Sequence, residues 1–111
     1  MYLTADAVLR TLGTVAGFAA GSCLCFDYNI PATMLNPIER VISEVLGQQI
    51  AALGEPWLST FDPAQLQSQL LELGFCSAKS ATPDDLNMRY FARRNDGLRT
   101  GGGVRIMCAN K

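Results

Sequence analysis

Proline and glycine divide the chain into stretches in which apolar residues recur at a helical spacing. Three of these stretches begin with a capping side chain, then proline, then an acid or amide two positions further on, which is typical of a helix N-terminus. Thr4 is a cap of the same kind without proline, and glycine follows each stretch, where a left-handed residue can end a helix. The pattern predicts helices over 5–20, 37–53, 63–73 and 83–93, with further caps at Asn36, Asp62 and Thr82 and stops at Gly21, Gly54, Gly74 and Gly97.

The second predicted helix carries the widest apolar stripe. Helices at the surface of globular proteins bury such a stripe against the rest of the fold. We therefore expect this stripe, and the narrower one of the first helix, to belong to the core and not to a binding groove. The wide stripe consists of Ile38, Val41, Ile42, Val45, Leu46, Ile50 and Leu53, and the narrow one of Val8, Leu12, Val15 and Ala19.

Three short segments rich in apolar residues predict strands at 22–28, 75–81 and 104–109. The first is apolar almost throughout, which is typical of a strand covered on both faces at the centre of a sheet. Helices and strands in this order predict an α/β fold with helices layered on a sheet. Three strands make a narrow sheet for four helices, and a central apolar strand needs a neighbour on each side. We therefore expect residues 1–111 to form a single partial domain, the second half of an α/β fold.

The composition is that of a folded protein, because 49% of the 111 residues are hydrophobic and 17% are charged. A net charge of -1 gives no electrostatic sign of a nucleic acid or an anionic membrane as a partner. The chain has no histidine, which removes the commonest general base and most zinc sites. Residues 11–26 are weakly polar, but glycines interrupt them and a membrane-spanning helix needs about 20 apolar residues. A buried helix followed by a strand is expected there, with no signal peptide or membrane anchor.

The four cysteines stand at positions 23, 25, 76 and 108, within apolar stretches. They lack the CxxC spacing of a metal cluster, so no metal site is expected. Disulfides are rare in the cytosol. We expect four reduced core thiols in a cytoplasmic protein.

Polar and aromatic residues near the ends of the predicted elements are candidates for a binding site. Asp27 and Tyr28 fall at the carboxyl end of the first strand, where open α/β sheets bind ligands, although the start of a solvated loop explains them equally well. Trp57 lies beside Glu55 in a connection between two helices. It is either the wall of a pocket or an aromatic plug of the core.

The last predicted helix carries Arg89, Tyr90, Arg93 and Arg94. Guanidinium groups at this spacing can clamp a phosphate or a carboxylate, or they can be solvated charges on a helix surface. Residues 101–103 are three glycines, but they precede a strand, whereas a phosphate-binding loop precedes a helix. They predict a hairpin-type turn.

Four segments form a set whose members occur in order at plausible spacings: Met1-Tyr2-Leu3-Thr4, Phe26-Asp27-Tyr28, Leu53-Gly54-Glu55-Pro56-Trp57-Leu58 with Phe61-Asp62, and Leu86-Asn87-Met88-Arg89-Tyr90-Phe91. Together they resemble the C-terminal part of the bacterial S-adenosylmethionine-dependent methyltransferases related to leucine carboxyl methyltransferase. The resemblance covers the chain from its first residue to about Ile106. It implies the C-terminal half of a Rossmann-like methyltransferase sheet, with local strand order fifth, seventh, sixth and an antiparallel last strand.

The resemblance also implies a function. In this family the first half of the fold holds the S-adenosylmethionine, through a glycine-rich loop and acids that this chain lacks. What remains resembles the wall on the side of the methyl acceptor, with substrate-pocket candidates Tyr2, Tyr28, Trp57, Arg89 and Tyr90, and with Leu3 near the cofactor. No catalytic residue is identified. The implied reaction is in-line transfer of a sulfonium methyl group to a carboxylate or hydroxyl oxygen, which requires mainly positioning and desolvation.

Two functions from different classes follow from these expectations. The first is the C-terminal portion of an O-methyltransferase, inactive alone, which has a cofactor-binding N-terminal half as its partner and a small-molecule or carboxylate acceptor as its substrate. The alternative is a non-enzymatic α/β interaction module derived from that fold. In that case the apolar flank of strand 22–28 is the contact surface, and a homodimer is the expected product.

Overall fold

The structure is a computed structural model, and it describes residues 2–111. Over these residues the chain has an α/β fold with four α-helices and a three-stranded sheet, which confirms the predicted fold class at this level. In chain order the elements are α1 (Ala5–Ala16), β1 (Cys23–Asn29), a 3-10 turn (Ala32–Met34), α2 (Pro37–Ala52), α3 (Pro63–Glu72), β2 (Ser77–Ala81), α4 (Pro83–Leu86) with a π-helical turn directly after it (Asn87–Phe91), and β3 (Val104–Asn110).

The helices begin at the predicted capping residues. The side-chain oxygens of Thr4, Asn36 and Asp62 accept hydrogen bonds from backbone N–H groups in the first turns of α1, α2 and α3. At the start of α4, Thr82 and Asp85 form a reciprocal capping box. These contacts satisfy N–H groups that a helix leaves free, so local sequence alone fixes where each helix starts.

Two of the four predicted stops are confirmed, since Gly54 and Gly74 directly follow the C-caps of α2 and α3 and have positive φ angles. Gly21 and Gly97 also have positive φ angles, but they lie beyond the ends of α1 and of the π-helical turn, so the prediction that they end these helices was wrong. The first helix ends earlier than predicted, at Ala16, because the chain leaves the α-helix at Gly17 and turns again before Gly21. The fourth predicted helix is α-helical for only four residues and then widens into the π-helical turn.

The sheet has the order β1-β3-β2, and β3 is antiparallel to both of its neighbours. It follows that β1 and β2 are parallel to each other and that their carboxyl ends lie at the same edge of the sheet, where β3 begins. This is the order that the resemblance implies for the last three strands. Within residues 2–111, β1 is an edge strand, so the expected central position is not reached.

One face of the sheet carries the core. Leu66 and Leu70 of α3 and Met107 of β3 are fully buried, and Leu12 and Ala16 of α1 join the same cluster. Side chains of β1 alternate between this face and an open one, so the expectation that β1 is covered on both faces was wrong. The strand reads as continuously apolar because two of its open-face positions are cysteines, which count as apolar residues in a sequence pattern. The cluster as a whole comprises Leu12, Ala16, Tyr28, Ile30, Leu66, Leu70, Phe75, Ala78, Met107 and Ala109.

Helix α2 departs most from expectation, because its apolar stripe is exposed. The five side chains from Ile38 to Leu46 in this stripe keep between 45% and 74% of their surface accessible, and α2 has no buried residue. The side of α2 that meets the rest of the molecule adjoins this stripe. There Glu39 Oε1 accepts a hydrogen bond from the Gly102 N–H at 2.9 Å, and Gly47 lies against the ring of Trp57. Periodicity identifies an apolar face, but it does not tell whether this chain supplies the surface that covers it.

The expectation of four reduced core thiols was also wrong. Cys25 and Cys108 form a disulfide, while Cys23 and Cys76 are exposed free thiols. The two bonded cysteines stand directly opposite each other on β1 and β3, with their Cα atoms 4.3 Å apart. Their separation of 83 residues in sequence gives no sign of this pairing, which only the strand register creates.

The three glycines before β3 form a bend and not the predicted hairpin turn. Helix α4 and the π-helical turn separate β2 from β3, so a hairpin between the two strands is not formed. Gly102 is buried, and a Cβ atom there would lie 2.6 Å from the carboxylate oxygens of Glu39. A side chain at this position would displace the Glu39 carboxylate from its hydrogen bond with the Gly102 N–H.

Candidate functional site

A cleft of about 360 Å³ lies at the edge of the sheet where β1 ends and β3 begins; we call it the end cleft. Its floor is the backbone of the glycine bend, and its walls are the ends of the two strands, one side of α2 and the connection after α2. Open α/β sheets bind ligands at the carboxyl ends of their strands. Its lining includes Glu39, Ile42, Leu46 and Trp57.

Trp57 contributes to the cleft and to the packing of α2 at the same time. Its ring lies 3.6 Å from the point where a Cβ atom on Gly47 would be, so the small glycine lets the indole pack against the helix. The indole Nε1 is buried and has no hydrogen-bond partner within residues 2–111. Buried indole N–H groups normally have a hydrogen-bond partner. Trp57 therefore stands at the wall of the cleft and does not belong to the buried core cluster.

A second cavity, of about 540 Å³, lies on the open face of the sheet; we call it the face cavity. Ala81 of β2 and Ile106 of β3 form its floor, and Leu86 and Tyr90 form its wall on the helical side. The guanidinium carbon of Arg89 is 5.5 Å from the centre of the Tyr90 ring, a cation–π contact at the rim. The remaining lining residues are Lys79, Asp85, Met88 and Cys108.

The charges around the face cavity are only partly paired. The backbone N–H and then the hydroxyl of Thr82 hold the pKa of Asp85 below its usual value, and the charge of Lys79 acts in the same direction. Asp85 is therefore ionised at neutral pH and engaged in its capping box. Within residues 2–111, Arg89 has no carboxylate in salt-bridge distance. The cavity thus combines an apolar floor with one guanidinium that no protein acid neutralises.

Tyr28 lies in the core and lines neither cavity. Its hydroxyl is 2.8 Å from the Ser80 Oγ on β2. Burial raises the pKa of the phenol, and the hydrogen bond with Ser80 offsets part of that effect. The side chain is held as a neutral, packed group, so it does not act as a base.

Tyr2 is half-exposed at the rim of a separate shallow hollow, which it shares with Glu55, Pro56 and Leu58. Leu3 is exposed as well. The structure therefore brings together only Arg89 and Tyr90 of the five predicted pocket residues. Trp57 lies in the end cleft, Tyr2 in the hollow and Tyr28 in the core.

Sequence reasoning missed the residues that the sheet and α2 contribute. Ala81 and Ile106 stand on the open face of the sheet, and only the strand register shows that they share a cavity with Arg89. Ile42 and Leu46 were assigned to the core because of their periodicity, yet they wall the end cleft. The sequence signal that indicated the end cleft was Trp57, in the connection that follows α2.

Within residues 2–111, no group of three or more His, Cys, Asp or Glu side chains is placed so that it could hold a metal ion. Over the same residues, the helices are too short or too polar for any of them to cross a lipid bilayer.

Comparison of the chain with protein-family models, with curated proteins and with solved structures finds no match.

Proposed function

We propose that this chain is the acceptor-side, C-terminal portion of an S-adenosylmethionine-dependent O-methyltransferase and is inactive on its own. The strand order β1-β3-β2 supports this proposal most directly. An antiparallel strand inserted between two parallel ones is the ending that the sequence resemblance implies. The end cleft supports it further, because it opens at the carboxyl ends of the parallel strands, where such folds bind ligands.

The residues present do not fit the cofactor by themselves. A cofactor site of this type needs a glycine-rich loop that precedes a helix and acids that are free to accept from ribose hydroxyls. The glycine bend here precedes a strand, and the carboxylate of Glu39 in the cleft accepts from Gly102. The cofactor would therefore come with a separate Rossmann-like half, and we assign only the acceptor side to this chain.

The end cleft suits an acceptor that carries a hydroxyl group. Its walls Ile42, Leu46 and Trp57 are apolar and would position the body of the acceptor by packing against it. The lining includes Glu39 but no lysine or arginine. A carboxylate acceptor would meet a negative charge there with no cation to balance it, so a neutral hydroxyl is favoured.

A calorimetric titration with S-adenosylmethionine and a methyl-transfer assay test whether the chain alone lacks cofactor binding and activity, as we propose. We expect neither binding nor turnover from the chain alone. One-to-one binding would contradict the assignment of the cofactor to a separate half.

A fusion protein tests whether this chain supplies the acceptor side of a methyltransferase. The cofactor-binding half of a related methyltransferase, joined ahead of Tyr2, is expected to methylate hydroxyl compounds. The change Trp57→Ala in the fusion should lower turnover, whereas Tyr2→Ala, at the separate hollow, should not. A fusion that binds the cofactor but transfers methyl to no hydroxyl or carboxyl compound would refute the proposal.

A second candidate function, a homodimeric interaction module, is favoured by the exposed stripe of α2. Two copies of α2 packed antiparallel about a two-fold axis at Ile42 would bring Ile38 of one copy to Leu46 of the other. Such a contact would cover an apolar patch of a kind that monomers rarely leave open.

Light scattering of the purified chain decides this candidate. A dimer that Val45→Glu dissociates, and that Ala51→Glu at an exposed position on another side of α2 leaves intact, would support it. A wild-type chain that stays monomeric up to its solubility limit would exclude it.

A further inference from the structure

The face cavity shares no lining residue with the end cleft and has no role in the proposed methyl transfer. Its shape depends on the π-helical turn Asn87–Phe91 that follows α4. In a π-helix the hydrogen bonds run from i to i+5, so the turn is wider and successive side chains diverge less than in an α-helix. As a result, Met88, Arg89 and Tyr90 all line the same cavity. Single π-helical turns within helices occur frequently at functional sites.

The floor of the cavity is apolar and belongs to the sheet. Ala81 and Ile106 are directly paired residues of β2 and β3, and both are half-buried. Leu86 of α4 adds an aliphatic wall. The cavity volume of about 540 Å³ lies in the range of pockets that take small molecules. An aliphatic or aromatic body of a ligand would remove this surface from water.

The rim of the cavity supplies cations for recognition. Lys79 lies near Asp85, so its charge is partly offset, although within residues 2–111 no carboxylate lies in salt-bridge distance of it. Arg89 has no acidic partner within residues 2–111, and the Tyr90 ring beside it restrains its guanidinium group. A guanidinium presents two parallel N–H donors, which match the two oxygens of a carboxylate. A dianion such as a phosphate would be repelled more strongly by Asp85 than a monoanion would.

We propose that the face cavity binds an amphiphilic monocarboxylate, with its apolar body against Ala81, Ile106 and Leu86 and its carboxylate on Arg89. This site is distinct from the acceptor cleft, so the proposal holds or fails independently of methyl transfer. Binding of the monocarboxylate involves no covalent step.

The test is an NMR titration of the full 111-residue chain, labelled with ¹⁵N, with decanoate below its micelle concentration. We expect saturable shifts confined to residues 79–91 and 104–110. Arg89→Gln should weaken decanoate binding by about tenfold, because it removes a charge-assisted hydrogen bond. Arg93→Gln is the matched control, since Arg93 is exposed in the same segment but does not line the cavity, and its affinity should equal that of the wild type. Decanol, which keeps the apolar body and lacks the anion, should bind more weakly than decanoate.

Several results would overturn the proposal. Absence of saturable decanoate binding would do so, as would an equal loss of affinity in the two arginine variants. Equal binding of decanol and decanoate would show that Arg89 recognises no anion. Shifts concentrated on α2 would place decanoate on the exposed stripe and not in the face cavity.

Discussion

At the scale of single residues, burial decides what a polar side chain can do. Tyr28 and Arg89 were both candidates for a substrate pocket, and the structure separates them. Tyr28 is packed among core residues and bonded to Ser80, so its phenol is kept neutral. Arg89 stands at an open rim with its charge unpaired. The first is a structural group and the second is available to a ligand.

The change Tyr28→Phe should cost about 1 kcal/mol of unfolding free energy, because it leaves the Ser80 hydroxyl without its partner while the ring still fills the core. Urea denaturation at pH 7 measures this cost. Ser80→Ala is the companion variant, and the double variant should cost less than the sum of the two single changes. Additive costs would show that the hydrogen bond does not contribute.

Tyr28 should also affect stability in alkaline solution. Its pKa is raised in the folded state above the ordinary value of 10.0, so the native protein keeps the proton at a pH where the unfolded chain loses it. The contribution is fully present below pH 10.0 and is lost as the pH rises through the folded pKa. We expect the midpoint of urea denaturation of the wild type to fall over this interval and that of Tyr28→Phe to fall less. Parallel curves for the two proteins would contradict the assignment.

At the scale of secondary structure elements, local signals fix the ends of the helices. The capping box of Thr82 and Asp85 starts α4 and thereby places the π-helical turn that carries Arg89 and Tyr90. A four-residue helix has too few internal hydrogen bonds to be stable alone, so its cap matters more than that of a long helix. The geometry of the face cavity therefore depends on this cap.

Acidification should weaken the segment at α4. The hydrogen bonds from Thr82 lower the pKa of Asp85, so the stabilisation is present above the ordinary carboxyl pKa of 3.8 and is lost as the pH falls through the lowered value. Asp85→Asn should lower the melting temperature at neutral pH and remove part of the acid dependence. Asp84→Asn is the control, since Asp84 lies in the same first turn but takes no part in the capping box. Equal acid profiles for the two variants would refute this role.

At the scale of the whole molecule, the core is one-sided. The radius of gyration is 15.4 Å, whereas a compact domain of about this length has about 13 Å. Helix α2 contributes no buried residue, and one face of the sheet is open. A molecule built in this way carries two unpartnered apolar surfaces, the stripe of α2 and the floor of the face cavity.

Two neighbouring residues of β3 test the one-sided core. Met107 is fully buried, so Met107→Ala should cost about 2–5 kcal/mol of unfolding free energy. Ile106 points to the opposite face, where it is only half-buried, and Ile106→Ala should cost clearly less. Urea denaturation of the two variants provides the comparison. Similar costs would mean that both faces of the sheet are covered in solution, by a second copy or by another partner.

The sequence by itself determined the helix starts, the glycine stops of α2 and α3 and the approximate positions of the three strands. Each of these depends on residues that are neighbours along the chain. A cap satisfies N–H groups two or three positions away, and glycine adopts a left-handed conformation at little cost wherever it stands. The fold class followed from the order of the elements. Of the two cavities, the sequence indicated Trp57 in one and the pair Arg89 and Tyr90 in the other.

Only the tertiary structure decided which surfaces are covered. The register of β1 on β3 placed Cys25 opposite Cys108, and that of β2 on β3 placed Ala81 beside Ile106, although no local pattern relates these residues. The stripe of α2 has the period of a core helix and is nevertheless exposed. A helical or strand period describes one element, whereas burial and cavity formation depend on what packs against that element. They are properties of pairs of surfaces that are distant in sequence.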